Sequence, residues 1–120
     1  MAKNKEKTDV QQLLIEKVIK RFSQEKIDEW KEKYAPRKIN IIEVDGKMAV
    51  LRPITADDVA TYSMAVADKE IGLNKATKFM LEELWIDGDN EIVDNEEYYI
   101  SAMMQAQKLL EVKKSSFMQL

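Results

Sequence analysis

Asp45-Gly46 stands between two short runs rich in β-branched and aliphatic residues, residues 39–44 (INIIEV) and 47–52 (KMAVLR). No other block of the chain constrains the fold as much. Asp-Gly readily takes the positive φ angles of a type I′ turn, the favoured two-residue link between antiparallel strands. That turn fixes a register in which Ile41 faces Val50. Ile39 and Met48 then share one face, while Asn40, Ile42, Val44, Ala49 and Leu51 lie on the other. Both faces are partly apolar, and an isolated hairpin is marginal in water, so helices must cover at least one face. Pro53 closes the second strand, because it cannot donate to a ladder.

The rest of the sequence reads as helix. From Thr8 to about Tyr34, Val10, Leu14, Val18 and Phe22 recur every fourth residue, with Ile15 and Ile19 beside them. Ile27, Trp30 and Tyr34 continue the stripe. Thr8 or Asp9 can cap its start, Ser23 is a possible break (one helix or two), and Pro36 disfavours helix at Ala35. Residues 1–7 are lysine-rich and are expected to fray. After the hairpin, Thr55 is expected to cap a helix with Asp57 and Asp58 near its positive end. Val59, Tyr62, Ser63, Val66 and Ala67 form its stripe to about Glu70, and Gly72 suits its stop. Asn74 can cap a helix carrying Ala76, Phe79, Met80, Leu81, Leu84 and Trp85. Residues 86–95 read as an acidic turn-rich loop around Gly88. A last helix is expected from Asn95 or Glu96 to Lys113 or beyond, with Tyr99, Ala102, Met103, Ala106, Leu109 and Leu110 on its apolar face.

The expected architecture is therefore α+β and mainly helical: one β-hairpin at about 39–53 packed with four or five α-helices. The domain reading is a frayed basic terminus (1–7), an amphipathic helical arm (8–38) and a hairpin-plus-helices body (39–120), in a single domain overall. The chain's 120 residues suit that size.

Composition removes many chemistries. There is no Cys and no His, so disulfides, thiolate zinc sites, Cys nucleophiles and imidazole catalysts are excluded. Three scattered glycines make neither a dinucleotide fingerprint nor a P-loop. Asp57-Asp58 point in different directions at a helix start, where capping explains them. Ser115 and Ser116 beside Lys113 and Lys114 read as a helix tail. No catalytic residue, cofactor or metal ligand is assigned, and the protein is expected not to be an enzyme. The acidic run Asp87, Asp89, Glu91, Asp94, Glu96, Glu97 was weighed as a calcium loop. Starting at Asp87, position 6 is Ile92 instead of Gly, and position 12 is Tyr98 instead of Glu, so the motif fails. No apolar run approaches the roughly 20 residues that cross a bilayer, and a cytoplasmic protein is expected.

Charge is uneven. Residues 1–38 carry 11 basic and 7 acidic side chains, a net of +4, and residues 39–120 carry 8 and 15, a net of −7. Lys17, Lys20, Arg21, Lys26, Arg37 and Lys38 could contact nucleic acid, but the interspersed acids favour a solvated amphipathic helix. Seven methionines suit irregular core gaps and also adaptable binding surfaces.

Residues 46–55 (GKMAVLRPIT), the helix opening Ala56-Asp57-Asp58, residues 79–85 (FMLEELW), the Gly88-Asp89 loop and the Leu/Ala/Met-rich final helix follow one another in an order that resembles the tail assembly chaperones of long-tailed bacteriophages. The resemblance spans residues 40–114, and the basic N-terminal helix is longer than that family's pattern. It implies a non-catalytic factor that shields a long helical tape-measure protein until tube subunits polymerise around it. It also implies a C-terminally extended frameshift product. The expected partner-binding residues are Met103, Met104, Leu110 and Phe117 along the final helix, with Trp30 and Ile27 on the N-terminal stripe as a second surface. A homo-oligomer through that stripe also fits. The competing readings are a structural or connector subunit of a phage or mobile-element complex, and a small nucleic-acid-associated protein.

Overall fold

The computed structural model describes residues 2–111 and 116–120, with backbone alone for 2–8. The chain forms two compact units, Met1–Ile39 and Asn40–Leu120. The architecture is α+β: the described residues form six helices and a three-stranded antiparallel sheet.

The first unit is two helices, α1 (Ala2–Phe22) and α2 (Gln24–Tyr34). Helix α1 begins at Ala2, before the start expected at Thr8 or Asp9. Ala, Lys and Glu are strong helix formers, and propensity favours helix back to Ala2. Ser23 makes the break with φ +83°, a conformation that L residues rarely adopt. Its side chain then accepts the Lys26 N–H at 3.3 Å and caps α2. Across the break, Phe22 meets Trp30 edge to face, with centroids 5.6 Å apart.

The second unit begins with the hairpin, β1 (Asn40–Val44) and β2 (Lys47–Leu51). Asp45 and Gly46 both take positive φ, and Ile41 lies opposite Val50, as the turn chemistry requires. A third strand, β3 (Trp85–Gly88), pairs antiparallel with β2, giving the order β1-β2-β3. This corrects the expectation of a lone hairpin and an irregular loop at 86–95. Residues 91–94 are also regular: Glu91–Asp94 form one helical turn, α5.

Helix α3 (Ala56–Ala67) packs on α4 (Gly72–Leu84), and α6 (Glu96–Leu109) is the last helix among the described residues. Gly72, at φ +74°, opens α4 and does not stop α3, which ends at Ala67. Asn74 is accordingly inside α4. Helix α6 ends at Leu109, with Leu110 as its cap. The expected continuation through Lys113 and Lys114 lies outside the described residues.

The core joins Ile42, Ala49 and Leu51 from one sheet face to Met80, Leu81 and Leu84 of α4, Ile92 of α5, and Ala102, Ala106 and Leu110 at α6. Ala102, Ala106 and Leu110 recur every fourth residue, so they line one side of α6 and turn its other side outward. Thr77 is wholly buried, and its hydroxyl donates to the Leu73 carbonyl at 2.8 Å, with the Tyr62 hydroxyl 3.3 Å away.

Candidate functional site: an exposed helix face on a pinned scaffold

Three local devices hold the second unit rigid. Arg52, at the end of β2, reaches the start of α3 with a two-pronged ion pair: Nη1 to Asp58 Oδ2 at 2.6 Å and Nη2 to Asp58 Oδ1 at 2.9 Å. Asp58 Oδ2 also accepts the Thr55 N–H, and Thr55 Oγ1 accepts the Asp58 N–H, completing a capping box. The Arg52 guanidinium, with these backbone and hydroxyl bonds, holds the Asp58 carboxyl well below the usual carboxylate range, against the opposing effect of burial. The Arg52 N–H donates to the Leu84 carbonyl at 2.9 Å, tying the same strand end to the end of α4.

The second device is Gly88. Its φ is +152°, and a Cβ there would lie 2.5 Å from the Met48 carbonyl oxygen and 2.8 Å from Ala49 Cα, so only glycine lets β3 approach β2 this closely. The third is Asp89, whose N–H donates to the Met48 carbonyl at 2.8 Å while its Oδ2 accepts the Met48 N–H at 2.9 Å.

Local contacts engage Asp87, Asp89 and Glu91 of the acidic run. Asp87 Oδ1 accepts the Gly88 N–H, Asp89 bonds Met48, and Glu91 pairs with Lys47 at 3.2 Å. The Glu91 partnership raises the Lys47 pKa. Asn95 Oδ1 accepts the N–H groups of Glu97 and Tyr98 and caps α6, with Glu96 and Glu97 in its first turn. Among the described residues, no group of three or more His, Cys, Asp or Glu side chains is placed to share an ion. Nor is any described helix long and apolar enough to cross a membrane.

Each unit leaves some large apolar side chains exposed among its polar ones. On α6, Ile100 and Met104 are 51% and 58% exposed, one turn apart on the side opposite the core. Met103 is half-buried beside them. At the start of the helix Glu96 and Glu97 are exposed, and Lys108 is the basic residue of its last turn. On α1, Val10, Leu13, Leu14 and Ile15 are all exposed.

The expected partner-binding residues differ in exposure. Met104 is exposed and Met103 partly so, but Leu110 is 3% exposed and belongs to the core. It lies in register with Ala102 and Ala106, away from Met104, which is why it turns inward. Phe117 is 90% exposed, beyond the end of α6 and past residues outside the described set. In the other unit, Ile27 is buried and Trp30 half-buried against Phe22, because the Ser23 break interrupts the stripe that was expected to carry them outward. Leu110 and Ile27 are therefore buried residues of their own units. Ile100 is exposed with Met104; its signal is the four-residue step between them. Lys17, Lys20, Arg21, Lys26, Arg37 and Lys38 are all exposed on the first unit.

Compared with family models, with curated proteins and with solved structures, the chain finds no match in any of the three.

Proposed function

We propose that the protein is a non-catalytic assembly factor that covers the apolar stripe of a helical partner, as the resemblance to phage tail assembly chaperones implies. The observation that carries this reading is the exposed Ile100–Met104 face of α6, held outward by the inward-facing Ala102, Ala106 and Leu110. An amphipathic helix laid along such a face buries its own apolar residues at i, i+3 and i+4 against it. Methionine suits this task, because its flexible thioether adapts to differently shaped partners. The acids of the second unit keep a loaded complex dispersed. A tape-measure protein before tube assembly is a client of this kind, a long helix whose uncovered stripe would aggregate.

The test is suppression of aggregation. A long amphipathic helical polypeptide that scatters light on dilution from denaturant is mixed with the full chain. Wild type lowers the scattering in proportion to its concentration, and Ile100→Glu/Met104→Glu does not. Equal suppression by both proteins removes α6 from the site. The absence of suppression by wild type refutes the reading.

A further inference from the structure

The stripe of α1 and the outer face of α6 match each other in pattern as well as in apolarity. On α1, Val10 and Leu14 are one turn apart, and Lys17 and Lys20 follow at successive three-residue steps. On α6, Met104 and Ile100 are one turn apart, and Glu97 precedes Ile100 by three residues. Three or four residues make about one helical turn, so each set lies along one side of its helix. Laid antiparallel, the helices bring Val10 to Met104, Leu14 to Ile100 and Lys17 to Glu97. One turn further, Lys20 comes to the start of α6, where Asp94 and Glu96 stand. Laid parallel, they would bring Lys17 and Lys20 toward Lys108, like against like. Val10, Leu14, Ile100 and Met104 are all large apolar residues exposed in the single chain.

We infer that this chain self-associates, with α1 of one copy docked antiparallel on the α6 face of another. The occupant is argued from charge. The segment 1–38 carries +4 and the segment 39–120 carries −7, so the arm of one copy is electrostatically matched to the body of the next. Two copies that exchange arms close into a pair, and copies that pass arms onward form a ring or a chain. The contact rests on the reading of α6 as a helix-receiving face. It makes α1 the occupant of that face before a client arrives, so a client and the arm compete for it.

Sedimentation equilibrium of the full chain, with no client present, tests the inference separately from client binding. Wild type gives a mass of two or more copies that falls toward one on dilution. Lys17→Glu/Lys20→Glu weakens association at least about tenfold, and so does Glu96→Lys/Glu97→Lys. All four reversals in one chain restore it. Circular dichroism confirms folding of each variant, and if a reversal unfolds, Leu14→Asn and Ile100→Asn serve instead, each weakening association. A wild-type monomer at every concentration overturns the inference, including the outcome in which the arm docks on its own body. Failure of the fourfold variant to restore association overturns the antiparallel register.

Discussion

Replacing Asp58 tests how the body is held together. Asp58→Ala removes both guanidinium contacts from Arg52 and the acceptor for the Thr55 N–H. The pair is neither surface nor core: the side chains of Arg52 and Asp58 are 24% and 10% exposed. A fully exposed pair is worth under about 1 kcal/mol, and breaking a buried one costs roughly 3–5 kcal/mol. Loss of a cap contact adds on the order of 1 kcal/mol. Together these place Asp58→Ala at about 3 kcal/mol, a lowering of the melting temperature by roughly 10–15 °C in a chain of this size. Asp58→Asn keeps an acceptor for Thr55 and loses only the charge, so it costs about half as much. The two variants and Arg52→Ala are compared by urea denaturation at pH 7, where the midpoint moves and the slope does not. The pH dependence has a definite sign. The native pKa of Asp58 lies below its ordinary value, so the stabilisation is complete above the unfolded pKa, about 3.9. It is lost progressively as pH falls below that value toward the native one. The gap between wild type and Asp58→Asn therefore narrows on acidification from pH 5 to 2.5. A loss below about 0.5 kcal/mol for Asp58→Ala, or a gap that stays constant over that range, refutes the reasoning.

Substitutions at four further positions separate scaffold from surface. Gly88→Ala forces a methyl group into the Met48 carbonyl and the Ala49 backbone, neither of which can move aside cheaply, and should lower stability by roughly 2–4 kcal/mol in a denaturation curve. Leu110→Ala empties part of the core and should cost about 2–5 kcal/mol, whereas Met104→Ala should stay within about 0.5 kcal/mol of wild type; equal losses at the two sites would contradict their assignments. At Ser23, glycine accepts the positive φ and gives up only a weak cap, so Ser23→Gly should leave α-helical content and stability near wild type, while Ser23→Val should lower thermal stability by roughly 1–3 kcal/mol.

The hairpin was legible because its register follows from local turn chemistry: Asp45-Gly46 fixes Ile41 opposite Val50 whatever surrounds them. The Thr55 cap was legible for the same reason. Strand β3 was not, because a four-residue strand containing Asp87 has no alternating pattern, and its pairing with β2 depends on residues far along the chain. Gly88 was the available signal, an isolated glycine where two backbones meet. Helix α3 shows the limit of periodicity. Its stripe runs to Ala67, yet Ser63, Val66 and Ala67 are exposed and Met64 is 77% exposed, while Tyr62 packs against the core. On α6 the expected binding residues join Met103 and Met104 to Leu110. Periodicity places residues around a helix, but only packing decides that Ala102, Ala106 and Leu110 face the core and leave Ile100 and Met104 outside.

Isothermal titration of the full chain with a soluble amphipathic helical polypeptide, repeated at several temperatures, tests helix binding by α6 most directly. Burial of the Ile100–Met104 face gives saturable binding with a negative heat-capacity change, and Met104→Glu abolishes both. Binding by wild type and Met104→Glu with the same affinity and the same heat-capacity change would contradict the assignment.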